Sequence, residues 1–208
     1  MLQAKMGIRG KMRVTAFRFP VGEEERCLLE KDSIEKKLME SKKFLEKFQN
    51  KKELKAFYKK YNARVSKNHN IVTDEGDAYV ADLMANTPTR TKITASAGYM
   101  PVGTNWTGTT PKANTWVNTI TGSAQALTAG YPQVQGAWGA ANDNVVLFRA
   151  IYAAGAFGSV TITEAAITSH ATDVAANSLL AYAQVTPSVA ITASDTLQID
   201  WALTVLGT

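Results

Sequence analysis

The carboxyl-terminal stretch from Asp195 to Leu206 alternates between large apolar residues and smaller or polar ones. Positions 197 to 205 carry Leu, Ile, Trp, Leu and Val at the odd numbers, with Gln, Asp, Ala and Thr between them. Successive side chains of a β-strand point to opposite faces, so this pattern predicts a half-buried strand. Burial of these five side chains is worth at most about 8–15 kcal/mol, and we expect them in a sheet. The polar face indicates an antiparallel sheet with one side in water, as in a sandwich or barrel.

The length and composition allow one domain with an appendage or two small domains, because 45% of the 208 residues are apolar. The single cysteine, Cys27, rules out an internal disulfide framework. Two histidines, His69 and His170, without a second cysteine rule out the common zinc spacings, and we expect no metal and no cofactor. The lack of a signal peptide and of a long apolar run predicts synthesis in a cytoplasm and no membrane insertion.

Charge is distributed unevenly along the chain, whose net charge is +5. Up to Val72 there are 19 Lys and Arg residues against 9 Asp and Glu, whereas from Thr73 onward there are 4 against 9. The later part is also rich in Ala, Thr, Gly, Ser, Val and Asn. Such a change in composition indicates a boundary between structural units.

The basic part begins with a predicted strand. Residues 11–19 alternate between two faces, one of which carries Met12, Val14 and Ala16. Residues 20–23 predict a turn, and residues 26–30 a return strand.

Two helices are predicted next. Asp32 and Glu35 have the spacing of a capping box, so we expect a helix to begin here and to run to about Phe48. Apolar residues at helical spacing then continue through residues 51–65, after a break at Gln49 and Asn50. These segments predict an amphipathic helical hairpin or one kinked helix.

Paired lysines with aromatic residues between them are spread over both helical segments. The pairs are Lys36 and Lys37, Lys42 and Lys43, Lys51 and Lys52, and Lys59 and Lys60. This pattern is typical of nucleic-acid binding. Four glutamates interrupt the positive charge and the aromatic residues follow the apolar stripe, so we favour lysines on the solvated faces of amphipathic helices.

Residues 68–86 predict a short helix that has Thr73 as its N-cap, three carboxylates in its first turn and an end near Ala85. The residues expected to face the sheet are Tyr79, Val80, Leu83 and Met84. A metal site is the alternative for the carboxylates, but an acidic first turn is ordinary in helices and we favour the helix alone.

From Ile93 onward the pattern is that of an all-β region. The predicted strands are residues 92–104, 116–120, 125–127, 144–154, 158–168 and 179–191, the last with a break at Pro187. Residues 144–154 are apolar on both faces, which predicts a central strand. Residues 158–168 change phase near Glu164, the only charge between Arg149 and Asp173. A catalytic carboxylate is one interpretation of Glu164; we favour a pair with Arg149 or a β-bulge.

A long polar loop, residues 105–142, carries four large aromatic residues, and loops of this length usually have a function. The four are Trp106, Trp116, Tyr131 and Trp138. They are suited to stacking on sugar rings or to packing against a neighbouring subunit, and we favour the subunit contact.

These pieces together resemble a recurrent group of tailed-bacteriophage virion proteins. The matching segments are residues 7–14, 69–76, 81–84, 99–104, 160–167 and 197–203. In such proteins a first strand, a helix and a β-sandwich form one unit on the virion, in the tail, the baseplate or the head decoration. Residues 23–67 depart from that pattern, since a short connection suffices there.

The fold we expect is mainly β: an antiparallel β-sandwich of jelly-roll type with one short packed helix and a basic helical hairpin insert. Residues 1–22 form an N-terminal segment whose strand joins the sandwich, residues 23–67 form the insert, and residues 68–208 form the sandwich domain.

The function implied by the resemblance is that of a non-enzymatic virion structural protein, found in the virion after synthesis in a host cytoplasm. We expect a homo-oligomer, with a trimer favoured, that binds capsid or tail subunits through the lysines and loop aromatics given above. A carbohydrate-binding receptor module and nucleic-acid binding through the basic helices are the alternatives. An enzyme is disfavoured, because no catalytic set of residues can be assembled from the sequence.

Overall fold

A computed structural model describes residues 7–41, 44–106, 117, 123–136, 143–171 and 179–206, and these form a mainly β structure with three helices. The strands are β1 (Gly7–Phe17), β2 (Arg64–Val72), β3 (Tyr99–Met100), β4 (Val102–Gly103), β5 (Gln125–Ala126), β6 (Gln133–Val134), β7 (Val145–Tyr152), β8 (Val160–Thr168), β9 (Leu179–Ile191) and β10 (Thr196–Leu206). The helices are α1 (Glu24–Glu40), α2 (Phe44–Lys60) and α3 (Asp74–Leu83). The predicted antiparallel sandwich, packed helix and helical hairpin are confirmed; the jelly-roll connectivity stays a prediction.

All strand pairs are antiparallel, and the order is β5-β3-β8-β9-β2-β1-β10-β7-β6, with β4 also paired to β8. Strand β2 connects the two layers: residues 64–70 pair with β1, and Ile71 and Val72 pair with β9. Both ends of this order, β5 and β6, are strands of two residues. The main core lies between the layers.

The predicted carboxyl-terminal strand is confirmed as β10, which lies between β1 and β7. Its core-facing residues, each at most 5% exposed, are Leu197, Ile199, Trp201 and Leu203. The predicted solvent exposure of its other face is wrong, because Thr196 and Gln198 are fully buried as well. The α1–α2 hairpin lies over this side of the sheet and forms ion pairs with Arg13 of β1 and Arg149 of β7, the two strands beside β10.

The hairpin begins and turns at different residues from those predicted. Helix α1 starts after Glu23 with an acidic first turn, which the helix dipole favours, so the predicted return strand at residues 26–30 and the capping box at Asp32 are wrong. The helices separate after Ser41, not at residues 49–50. Asn50 lies within α2, and its Nδ2 donates to Ser41 Oγ over 2.7 Å, so this residue stabilises the connection instead of breaking the helix.

The base of the hairpin packs on an aromatic cluster at the end of β1. Its buried members are Phe17, Phe19, Cys27, Ile34, Phe57 and Tyr61. Helix α2 ends at Lys60, before the predicted Val65, because Asn62 adopts the left-handed conformation (φ 47°) that Asn tolerates at helix ends. The chain then enters β2, a strand that the sequence did not predict.

Helix α3 is confirmed: the Thr73 hydroxyl accepts a hydrogen bond from Gly76 N over 2.9 Å, as an N-cap does. Tyr79 is buried and Val80 and Leu83 pack against the core, as predicted. Met84 is 72% exposed, so its predicted place against the sheet is wrong. It lies just after the last helical residue, where the chain turns away.

The later strands follow the predictions in part. Only β3 and β4 form within the predicted strand 92–104, since Pro101 between them has no N–H to donate. The predicted phase change near Glu164 is confirmed as a register shift between β8 and β9. The predicted break at Pro187 is wrong, because β9 continues through this residue. The register shifts there, since four residues of β9, 185–188, lie opposite one residue of β8, Thr163.

Strand β7 is not central, since only the short β6 lies beyond it. One of its faces lies in the core, and Leu147 and Arg149 on the other line a cavity under the hairpin. The predicted strand at residues 116–120 lies outside the described residues except for Val117, which is buried. None of the described helices is long and apolar enough to span a membrane.

Candidate functional site

Six charged side chains meet where the hairpin covers the sheet, and we call them the charge cluster. They are Arg13 on β1, Lys31, Asp32 and Glu35 on α1, Arg149 on β7 and Asp200 on β10. Three cations face three anions. The cluster joins the insert to three neighbouring strands of the sandwich.

Asp200 is the centre of the cluster because of its strand register. It stands directly opposite Arg13 on one side and Arg149 on the other. Arg13 Nη2 lies 2.7 Å from Asp200 Oδ2, and Arg149 Nε lies 2.7 Å from Asp200 Oδ1. Gln198 Nε2 donates to the same carboxylate over 2.9 Å. Oppositely charged cross-strand neighbours of this kind stabilise an antiparallel sheet.

Helix α1 supplies the other half of the cluster. Glu35 Oε1 lies 2.8 Å from Arg13 Nη1, and Asp32 Oδ2 lies 2.7 Å from Arg149 Nη1. The ammonium of Lys31, whose side chain is fully buried, lies 3.0 Å from Glu35 and 3.2 Å from Asp32. Each guanidinium therefore bridges a carboxylate of the sheet and one of the helix.

The cations hold two of the carboxylates, Asp200 and Glu35, in their charged form. Burial alone would raise the pKa of Asp200, but Arg13 and Arg149 outweigh it and keep this pKa well below its usual range. Burial likewise opposes Lys31 and Arg13 at Glu35, whose pKa is lowered. The Tyr58 hydroxyl lies 3.3 Å from Glu35, and burial raises the pKa of this phenol to about 12.

Acid should weaken the fold. Three carboxyl groups, Glu35, Asp195 and Asp200, have a lowered pKa in the folded state. At Asp195 burial would raise the pKa, but hydrogen bonds from Arg64 and Thr192 outweigh it. Such groups contribute stability that is complete above the unfolded-state pKa of about 4 and is lost as the pH falls through the lower folded-state values. We expect the thermal midpoint to fall from about pH 5 downward. A midpoint that stays constant down to about pH 2 would contradict this prediction.

The cluster links the hairpin to the sheet through ion pairs. All three of its carboxylates are paired with cations. The described residues contain no group of three His, Cys, Asp or Glu side chains arranged to hold a metal ion. Beside the cluster lies a cavity of about 570 Å³, bounded by Leu38 and Leu54 of the hairpin and Leu147 of the sheet.

A second hollow, which we call the lysine groove, lies between α2 and the strands β2 and β9 and has a volume of about 740 Å³. Its large apolar lining residues are Phe48, Leu54, Val65 and Pro187, together with Tyr58. Its cations are Lys51, Lys52, Lys55 and Lys67. Leu54 and Lys67 also line the first cavity, so the two hollows adjoin under the outer part of the hairpin.

The structure divides the predicted lysine pairs. Lys51 and Lys52 line the lysine groove, whereas Lys36, Lys37, Lys59 and Lys60 are exposed elsewhere on the two helices. Lys36 lies 3.9 Å from Glu40, and Lys60 lies over the ring of Tyr61. Lys42 and Lys43 lie outside the described residues.

The predicted loop aromatics do not form one surface in the described part of the chain. Trp106 stacks on Tyr182 of β9, with ring centroids 5.6 Å apart. Tyr131 lies on the other layer, where the Arg149 guanidinium stands 5.2 Å from its ring centroid. Trp116 and Trp138 lie outside the described residues. Carbohydrate binding stays a prediction.

Glu164 is buried and accepts a hydrogen bond from the hydroxyl of Tyr182. It lies at the predicted bulge in β8. The predicted alternative, a pair with Arg149, is wrong, because that guanidinium is engaged by the charge cluster.

Sequence reasoning missed the charge cluster. It placed Asp200 on a solvated strand face, gave Arg13 no role, and interpreted Asp32 and Glu35 as a helix cap. One usable signal was present: Lys31 and Glu35 have the i, i+4 spacing of a helical ion pair. A further signal was the opposite charge of the two predicted strands: residues 11–19 carry only cations, whereas Asp200 is the one charge of residues 196–206.

Comparison with models of protein families, with curated proteins and with solved structures finds no match to this chain.

Proposed function

We propose that this protein is a non-enzymatic structural component of a tailed-phage virion, which binds neighbouring capsid or tail subunits. The observation that carries the proposal is the surface of the helical hairpin. Of six large apolar side chains exposed among the described residues, four, namely Val21, Leu29, Met39 and Phe48, lie on the hairpin or just before it. Exposed apolar side chains among charged ones are typical of surfaces that bind proteins.

The charge cluster supports the same proposal. A hairpin joined to the sandwich only by a flexible connection would become ordered when a partner bound, and the entropy lost in this ordering would reduce the affinity. Ion pairs to Arg13 and Arg149 hold α1 against the sheet, so the hairpin surface is presented already ordered. The resemblance to virion proteins supplies the expected location, the virion. There we expect the chain to form a homo-oligomer, with a trimer favoured.

The proposal is tested by the protein composition of purified phage particles. Mass spectrometry of gradient-purified phage particles, produced from the genome that encodes the chain, should find it at a stoichiometry of many copies per particle. Immunogold electron microscopy should then label one part of the particle. Absence of the chain from purified particles would overturn the proposal.

Release of the protein from particles should increase with salt. Attraction between the exposed lysines and an acidic subunit surface is screened over about 10 Å at 0.1 M salt but over only about 3 Å at 1 M. Sedimentation of particles across this range, followed by immunoblotting of the supernatant, measures the release. Retention that does not depend on salt would contradict electrostatic docking while leaving the virion location intact.

A further inference from the structure

We propose that the lysine groove binds an acidic segment of a partner protein, and that this segment inserts a large apolar side chain between α2 and β9. The inference rests on the proposed function, since it assigns that function's partner contact to one surface. The binding site is the lysine groove, and its ligand is an acidic protein segment with a large apolar side chain.

The charge of the groove argues for an acidic ligand. Lys51, Lys52, Lys55 and Lys67 line it, and no carboxylate is among its described lining residues. Within the described ranges none of these four lysines forms an ion pair with the chain's own acids, in contrast to Lys31 and Lys36. A ligand that brings carboxylates would therefore meet cations that have no competing partner.

The walls of the groove argue for an apolar anchor. Phe48 on α2 is 62% exposed, and Val65 and Pro187 form the opposite side. An aromatic or aliphatic side chain placed here would cover Phe48 and be packed from both sides. Apolar anchors in desolvated pockets supply most of the affinity at protein interfaces, and a surrounding ring of charges excludes water.

The same walls argue against nucleic acid. Single-stranded nucleic acid binds through a basic track combined with several stacking aromatics. Among its described lining residues the groove offers one exposed ring, Phe48, and the half-buried Tyr58, beside the aliphatic Leu54, Val65 and Pro187.

The geometry sets the length of the ligand. The lining residues of α2 run from Phe48 to Tyr58, which is about 15 Å of helix. A peptide of about 12 residues spans this distance as a helix, since each residue adds 1.5 Å. The probe is a fluorescein-labelled peptide of this length with alternating Glu clusters, two Leu and one Phe. Its matched control peptide carries the same Glu residues with Ser in place of Leu and Phe.

Fluorescence anisotropy with the full chain tests the assignment. The groove variant is Lys51→Glu, Lys52→Glu and Lys55→Glu, and the matched control variant is Lys36→Glu, Lys37→Glu and Lys92→Glu. Both change the net charge equally, and all six lysines are exposed, so we expect both variants to fold. The groove variant should bind the Leu/Phe peptide about tenfold more weakly, and the control variant within about twofold of the wild type. Phe48→Ser should weaken binding about threefold or more.

Several outcomes would overturn the inference. Equal weakening by both lysine variants would show attraction to net charge, without a groove. Equally tight binding of the Ser peptide would remove the apolar anchor. Tighter binding of a labelled single-stranded oligonucleotide, lost in the groove variant, would assign the groove to nucleic acid. Failure of the Leu/Phe peptide to bind at all overturns the groove assignment alone, because presence of the chain in virions is measured separately.

Discussion

Asp200→Ala is expected to lower the free energy of unfolding by about 3 kcal/mol or more. The substitution leaves Arg13 and Arg149 without the carboxylate that lies 2.7 Å from each of them, under a hairpin that limits access of water. Removing one partner of a buried ion pair typically costs about 3–5 kcal/mol. The lower end applies here, because Glu35 and Asp32 still face the two guanidiniums. Urea unfolding followed by far-UV circular dichroism measures the change.

The matched control is Glu53→Ala, which removes an exposed carboxylate from α2 and should change stability by less than about 0.5 kcal/mol. A double-mutant cycle with Arg13→Ala sharpens the test. Residues in direct contact show coupling energies of about 0.5–3 kcal/mol, so Arg13→Ala should cost less in the Asp200→Ala background than in the wild type. Strict additivity of the two substitutions would show that the cluster does not act as a unit.

Gly76→Ala should destabilise the protein by about 3 kcal/mol, although alanine is the better helix former. In an ordinary helix the same exchange gains about 1 kcal/mol. Here an added Cβ would overlap the carbonyl oxygen of Leu180 in β9 and would lie 2.8 Å from Val72 Cγ1. Overpacking costs about 1–3 kcal/mol or more when backbone must move. Thermal unfolding measured by circular dichroism provides the value.

Gly158→Ala is the control for this prediction. A Cβ at Gly158 meets nothing within 4 Å, and we expect a change of less than about 0.5 kcal/mol. A Gly76→Ala protein as stable as the wild type would mean that α3 and β9 separate easily. The close approach of helix and strand would then contribute little to the sandwich.

The elements that could be predicted from the sequence are those with one face in the apolar core, because such a face produces a regular pattern of apolar residues. Alternation in residues 11–19 and 195–206 identified β1 and β10, because every second side chain of each enters the same apolar layer. The N-cap at Thr73 was predictable because it is local chemistry, and the structure has it. Patterns of this kind depend on residues close together in the chain.

What covers a polar strand face was not predictable in this way. Thr196, Gln198 and Asp200 have the composition of a solvated face, yet the hairpin buries the first two completely. Whether a polar residue meets water or a distant partner depends on tertiary packing. The hairpin itself was predicted, but its docking on β1 and β10 required the register that places Arg13 opposite Asp200.

Local propensity also misled at the start of α1. The short apolar run around Cys27 and Leu28 favoured a strand, whereas the three glutamates at 23–25 that begin the helix were the stronger signal. At the site, sequence reasoning named Lys51 and Lys52 but neither Phe48 nor Pro187 as binding residues. These two lie far apart in the chain and meet only because β9 passes beside α2.

The two-residue strands that bound the described sheet order, β5 and β6, limit how copies of this protein can associate. Another chain extends a sheet by pairing with a row of free backbone N–H and C=O groups, and such short borders offer few of them. At these two described borders, a shared strand ladder between copies would therefore be short. Fibre growth through strand addition at these borders would be disfavoured even at high local concentration.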